Sequence, residues 1–301
     1  MNIRYYLIAL FSLFYVFANA QEVNLNVVET TAAHSAGSHD GFVINITQAK
    51  VKDVQNAWEK MINKQSENKT KVEEVKGEYI IKNALLEKLN DTPISVYALF
   101  SEGKTGGTKM LAFFEIDSVF INESNNAQVS YNAKKLMEDF AIASYQSAVK
   151  DELKEEEKKL KDLESDLKKL VNENEKMHKT ISSAENDIES LDVDLDMNKK
   201  EYNPSYGETV AVYDSEGNEI DRAAAPKTVI KLDPEKKKEL DKEQKKLSKK
   251  KYKLEADIRK AEREIPLNLQ DQEEKKLEIE KQEAEVERVE KKLKAANNLN
   301  N

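Results

Sequence analysis

The stretch LKDLESDLKKLVNENEKMHKTISSAENDIESLDVDL, residues 160–195, decides the fold. Leu160, Leu163, Leu167, Leu170, Asn174, Met177, Ile181, Ala184, Ile188, Leu191 and Leu195 follow one another in alternating steps of three and four. The mean step of about 3.5 residues is the period of a left-handed coiled-coil seam. Asn174 alone interrupts the apolar stripe. The other faces are almost all Lys, Glu and Asp, as a solvated helix surface requires.

A second charged segment repeats the pattern. Leu240, Leu247, Leu254 and Ala261 recur every seven residues, Ile258 and Ile265 fill intervening positions, and Gln244 and Lys251 weaken them. Ile279, Val286 and Leu293 resume the seven-residue step. The pairs Glu155/Lys159, Glu157/Lys161 and Glu255/Arg259 place the acid four residues N-terminal to the base, which adds a few tenths of a kcal/mol each. Pro204 closes the first segment, because a residue before proline leaves the α region. Asp233-Pro234-Glu235 opens the second with an N-cap acceptor, a proline at the first helical position and an acid at the positive helix end. The two segments therefore predict an intrachain antiparallel coiled-coil hairpin. Its register sets Leu195 opposite Leu240, Ile188 opposite Leu247, Ile181 opposite Leu254, Leu170 opposite Ile265 and Asn174 opposite Ala261. Pro266, inside the second segment, removes one backbone hydrogen bond and predicts a kink or break there.

Outward from the helices, the texture changes. Residues 42–130 hold the only Trp and most of the Phe. Phe42, Ile44 and Ile46 form one face of a strand, and Val51, Val54, Trp58, Met61 and Ile62 one face of a helix. The stretch 71–89 reads both ways: Tyr79 to Ile81 as strand, Ala84 to Leu89 as helical turn. Residues 94–100 and 109–116 are strands joined by a Gly-rich hairpin loop. Both are apolar on both faces, so each face needs a cover. The start of the long helix, with Leu136, Met137, Phe140, Ile142 and Ala143, is the candidate for one. The fold class is α+β: a small antiparallel-sheet head, with ferredoxin-like topology as one order of elements that fits, joined to the helical hairpin.

The domain reading is a signal peptide at 1–20, a flexible N-terminal segment at 21–41, the head at 42–130, the first long helix at 131–202, a tip insert at 203–232, the second helix at 233–296 with its kink at 266, and a frayed tail at 297–301. Arg4, the apolar run 5–18 and Ala18-Asn19-Ala20 have the layout of a cleaved export signal. That run is shorter than the ~20 residues of a membrane span, and nothing later resembles one. In the tip insert, Thr209 to Tyr213 and Ile220 flank Asp214-Ser215-Glu216-Gly217-Asn218, a β-hairpin signal. The chain has no cysteine, which excludes disulfides, thiol catalysis and zinc–thiolate sites. With 48 basic against 57 acidic residues, it lacks the electrostatic footprint of a nucleic-acid binder.

AGSHDGFVINIT, VYALFSEG and LMEDFAIASYQSAVKDELK, within residues 34–190, resemble a family of exported Bacteroidetes proteins that joins a small N-terminal α+β domain to a long Lys/Glu coiled coil. The resemblance implies a Gram-negative envelope. It transfers no activity, ligand or catalytic residue.

Motifs suggestive of chemistry fail on their own spacing. Gly103-Lys104-Thr105 lacks the upstream glycine of a phosphate loop, since Ala98 stands there, and a strand follows instead of a helix. Asp192, Asp194 and Asp196 have Met197 and Asn203 where a calcium loop needs Gly and Glu, and the seam runs through them. Asp214, Glu216 and Asp221 are explained by the hairpin turn. His34 and His39, with Asp40 adjacent, are weighed as a surface zinc site against a solvated linker. His178 sits beside the seam. No catalytic, cofactor-binding or metal residue is assigned, and no cofactor is implied. The expectation is a non-enzymatic, exported scaffold, periplasmic, envelope-associated or extracellular, that binds protein partners and can pair with itself through the coil. A periplasmic transport or secretion adaptor and a holdase-type chaperone are the alternatives.

Overall fold

The computed structural model describes residues 25–104, 106–202 and 233–300. The fold is α+β and divides into two units, one of residues up to 157 together with 284 onward, the other of residues 158–283. The export signal at 1–20 and the tip insert at 203–232 lie outside the described residues.

The first unit contains strands β1 (Val28–His34), β2 (Gly37–Ile46), β3 (Glu73–Val75), β4 (Glu78–Ala84), β5 (Ile94–Glu102), β6 (Thr108–Ile116) and β7 (Val119–Phe120), with helix α1 (Val51–Gln65) between β2 and β3. The sheet order is β1-β2-β6-β5-β4-β3, with β7 also paired to β6. Each of these ladders is antiparallel. A ferredoxin-like split β-α-β unit needs a parallel pair. Here β3 to β6 form a meander and β2 docks antiparallel on β6, so the ferredoxin-like order is not adopted. The ambiguous stretch resolves into β4 followed by a turn in which the Leu89 and Asn90 N–H groups donate to the Leu86 carbonyl.

The sheet's first face carries the core. Phe42, Ile44 and Ile46 of β2 share it with Val96 and Ala98 of β5 and Met110, Ala112 and Phe114 of β6. Val54, Trp58 and Ile62 recur at four-residue spacing along α1 and are buried against it. Helix α2 (Ala127–Tyr202) adds Ala133, Met137, Phe140, Tyr145 and Val149, and Phe140 meets Trp58 edge-on at 5.1 Å. The apolar start of the long helix is thus the cover its composition indicates. It begins at Ala127 rather than 131, because Asn126 caps it: the Asn126 Oδ1 accepts the Val129 N–H at 3.1 Å. Helix α3 (Pro234–Asn297) closes this core with Val289 and Ala296.

Two boundaries differ from the sequence reading. Residues 28–41 are β1 and the start of β2, not a flexible linker. Their glycines serve the hairpin: Gly37 turns the chain at φ 128°, and a Cβ on Gly41 would lie 2.6 Å from the Phe113 ring. The tail is not frayed over 298–300, which form a 3₁₀ turn, and the Ala296 carbonyl accepts the Gln146 side-chain amide at 3.0 Å.

In the second unit α2 and α3 pack against each other antiparallel. Asn198 donates to the Leu240 carbonyl at 3.4 Å, Lys236 pairs with Glu201 at 2.7 Å, and Lys251 pairs with Asp192. The register the seams indicate sets Asn198 opposite Lys237, Glu201 opposite Pro234 and Asp192 opposite Glu243, so these contacts lie two to eight residues further along α3 than that reading places them. On α2 the buried and half-buried positions run Leu160, Leu163, Leu167, Leu170, Asn174, Met177, Ile181, Ala184, Ile188, Leu191, Leu195, Asn198. On α3 an alternation of fours and threes runs through Leu240, Gln244, Leu247, Lys251, Leu254, Ile258, Ala261, Ile265, Asn268, Gln272, Lys275, Ile279 and Gln282, with Glu255 and Ala256 half-buried outside it. The α2 series alternates threes and fours without a slip. Helix α3 passes through Pro266 unbroken and its seam keeps phase. Beyond the proline the series continues in polar residues: Asn268 and Gln272 occupy buried positions, and the Gln272 side-chain amide donates to Asn268 Oδ1 at 2.7 Å. Asp233 caps α3 as its sequence requires, accepting the Glu235 N–H at 3.2 Å.

Candidate functional site

The second face of the sheet is covered differently. Strand residues alternate sides, so Tyr97 of β5 and Phe113 and Glu115 of β6 point away from the core face. In the β1–β2 hairpin, His34 and His39 share that side, while Asp40 faces the other. The hairpin passes over Phe113 at Gly41, where any side chain would collide with the ring and with the Ala112 carbonyl. The result sets His34 among strands it does not pair with. Its ring stacks on Phe113 at 4.1 Å and lies 5.0 Å from Tyr97, 5.0 Å from Phe120 and 5.2 Å from His39. His39 stacks in turn on Phe120 at 3.9 Å.

Glu78, the first residue of β4, is the polar anchor of this cluster. Its carboxylate is 3.3 Å from His34 Nδ1 and accepts the Ser35 N–H at 3.3 Å. The His34 side chain is 0% exposed and that of Glu78 4%. His34 Nε2 has no hydrogen-bond partner among the described residues. A buried polar atom left unpaired is uncommon and asks for a reason. Burial pulls the His34 imidazole below its ordinary range, and the neighbouring Glu78 carboxylate only partly offsets this. Burial also pushes the Tyr97 phenol up to about 12, assisted by the bond its hydroxyl donates to Glu115 at 2.8 Å. A neutral imidazole against a carboxylate has the parts of a general base. With its faces against rings, its Nδ1 edge against Glu78 and its side chain 0% exposed, it has no access for a substrate, so in this state the pair holds the hairpin in place.

The zinc constellation weighed from the sequence is not assembled. His34 and His39 come together, but Asp40 turns to the opposite face, where Thr31 Oγ1 donates to it at 2.6 Å and Asn122 Nδ2 at 2.9 Å. Those bonds lower its carboxyl pKa. Among the described residues no group of three His, Asp or Glu side chains is placed to hold a metal ion. Gly103 and Lys104 lie in the β5–β6 hairpin loop, closed by Gly103 N–H to the Gly107 carbonyl at 3.1 Å. Asp192, Asp194 and Asp196 are on a continuous helical turn, Asp192 paired with Lys251 and Asp196 with Lys200 at 3.1 Å. Asp214, Glu216 and Asp221 lie outside the described residues.

Two further surfaces bear on binding. In the first unit, α1 and α2 border a groove of 620 Å³ lined by Met61, Leu136, Phe140 and Ala143, with Gln65 and Ser144 each presenting a buried oxygen without a partner. In the second unit the helices leave Val193, Met197, Tyr252, Leu267, Leu269 and Leu277 exposed. No family model, curated protein or solved structure matches this chain. No helix among the described residues is long and apolar enough to cross a membrane.

Proposed function

We propose that this is a non-enzymatic, exported interaction protein of a Gram-negative envelope, whose two long helices form a coiled coil that offers its flank, together with the segment 203–232 that joins them in sequence, to protein partners. The observation that carries the reading is the burial pattern of α2 and α3: three–four alternation held in both helices, through Pro266, with mostly charged and polar residues outside it. Such a pattern serves helix pairing and presents a long surface for further helices, the helix-in-groove mode of recognition. The apolar side chains left outside the seam, Tyr252, Leu267 and Leu277 among them, give that surface its contact points. Export rests on the layout of residues 1–20, and the resemblance to exported Bacteroidetes proteins supports the same compartment.

Affinity purification of the tagged protein from its native envelope tests this, with the intact chain, a deletion of 203–232 and the seam variant Leu191→Lys compared. A defined protein partner retained by the intact chain and lost with either variant is the expected result. Retention that is indifferent to both variants contradicts a role for the helices. A cytoplasmic location of the intact chain contradicts export.

A further inference from the structure

We propose that the turn of the β1–β2 hairpin is an acid-released latch, in which protonation of His34 frees residues 32–41 from Glu78 and uncovers Phe113, Tyr97 and Phe120. The latch has one polar socket on the His34 side of the hairpin, Glu78, and one on the opposite side, where Asn122 Nδ2 donates to Asp40 at 2.9 Å. Glu78 takes both the Ser35 N–H and the His34 ring edge, and β2 is paired to β6 only over Phe42–Ile46, so nothing else in the sheet ladder holds the distal half.

The groups around His34 set the direction of the effect. From β2 comes His39, from β4 Glu78, from β5 the Tyr97 phenol, from β6 Glu115 with the Phe113 ring, and from β7 Phe120. Glu78 favours a charged imidazole. Three features oppose it: the loss of water around an enclosed ring, an N–H at Nε2 with no acceptor to meet it among the described residues, and the like charge of His39, whose ring is 5.2 Å away. Closed, His34 resists its proton; lifted into water, it takes one up near pH 6.5. Opening therefore binds a proton. The closed state is unaffected well above pH 6.5, loses ground as pH falls below it, and stops losing once the pH is under the lowered closed-state value. What is uncovered is an aromatic patch of the kind enriched at protein interfaces. The device thus converts acidity into access to a hidden surface.

Hydrogen exchange of the purified protein from pH 7.5 to 5, expressed as protection relative to intrinsic rates, tests the latch. Protection of residues 32–41 should fall by up to about tenfold per pH unit below 6.5, while residues 94–100 stay unchanged. His34→Gln should remove that pH dependence. Constant protection over 32–41 overturns the proposal, as does a His34→Gln variant that keeps the same slope. Should that variant fail to fold, the His34 ring of the unaltered protein is titrated by NMR. A midpoint below 6.5 accompanied by hairpin opening is expected; a midpoint at or above 6.5 overturns the proposal.

Discussion

The two units of this protein bury their apolar residues in opposite ways. In the sheet-bearing unit, Trp58, Phe42, Phe114 and Ile62 are at most 1% exposed, each enclosed by a sheet on one side and helices on the other. In the helix-pair unit most seam residues are only half-buried, and Asn174, Asn198, Asn268 and Gln272 are among the most enclosed. Geometry explains the contrast. A sheet covered by α1, α2 and the end of α3 surrounds a side chain with many neighbours, whereas a helix with one partner has half its contacts facing water. Stability in the first unit is concentrated in a few large side chains. In the second it is spread over many small contributions, which leaves room for polar residues that set register.

Substitutions sharpen that contrast, in decreasing size of effect. Phe114→Ala leaves a cavity in a closed core and should destabilise the sheet-bearing unit by about 3–5 kcal/mol, read by chemical denaturation. Leu191→Ala removes a buried seam residue with fewer neighbours and should cost about 2 kcal/mol, the low end for such a change. Equal costs at the two sites would break the comparison. Asn174 has a buried Nδ2 without a partner, so Asn174→Leu should stabilise the helix pair by about 1 kcal/mol and loosen its register, which light scattering would detect as new oligomers. Glu152, in the first unit, accepts bonds from Gln48, Lys292 and Arg288; burial alone would raise its carboxyl pKa, and these donors together lower it. Its contribution is complete above the ordinary carboxyl range and is lost as pH falls through its lowered value. Glu152→Gln should cost less than about 1 kcal/mol at neutral pH and flatten the acid side of the stability curve. Lys169→Ala, which removes an exposed pair with Asp166, should leave the denaturation midpoint where it is.

The same contrast explains what could be read in the sequence. A helix seam is a one-dimensional code, and Leu160 to Leu195 spelled it out residue by residue. It is harder to read where the code is written in polar letters: Asn268 and Gln272 continue the phase past Pro266, where the sequence predicts a kink or break. The offset of the contacts along α3 was not legible, because Asn198 does not advertise itself as a residue that reaches the Leu240 carbonyl. A sheet is specified by contacts far apart in the chain. The strands around Ile94 and Met110 were clear from their alternation, but the partner of β2 was not. The cluster under the hairpin escaped notice because Gly37, Gly41 and Ser38 give residues 34–41 the look of a linker. Two signals were available: a glutamate opening the apolar run Glu78-Tyr79-Ile80-Ile81, and a glycine directly before Phe42 in a strand.

Zero-length carbodiimide cross-linking tests the pairing of the long helices within one chain, using a mixture of ¹⁴N- and ¹⁵N-labelled protein. Joined Lys251–Asp192 and Lys236–Glu201 peptides should carry a single isotope. Mixed-isotope pairs, or Lys236 joined to carboxylates near residue 160 of α2, would contradict the antiparallel intrachain arrangement.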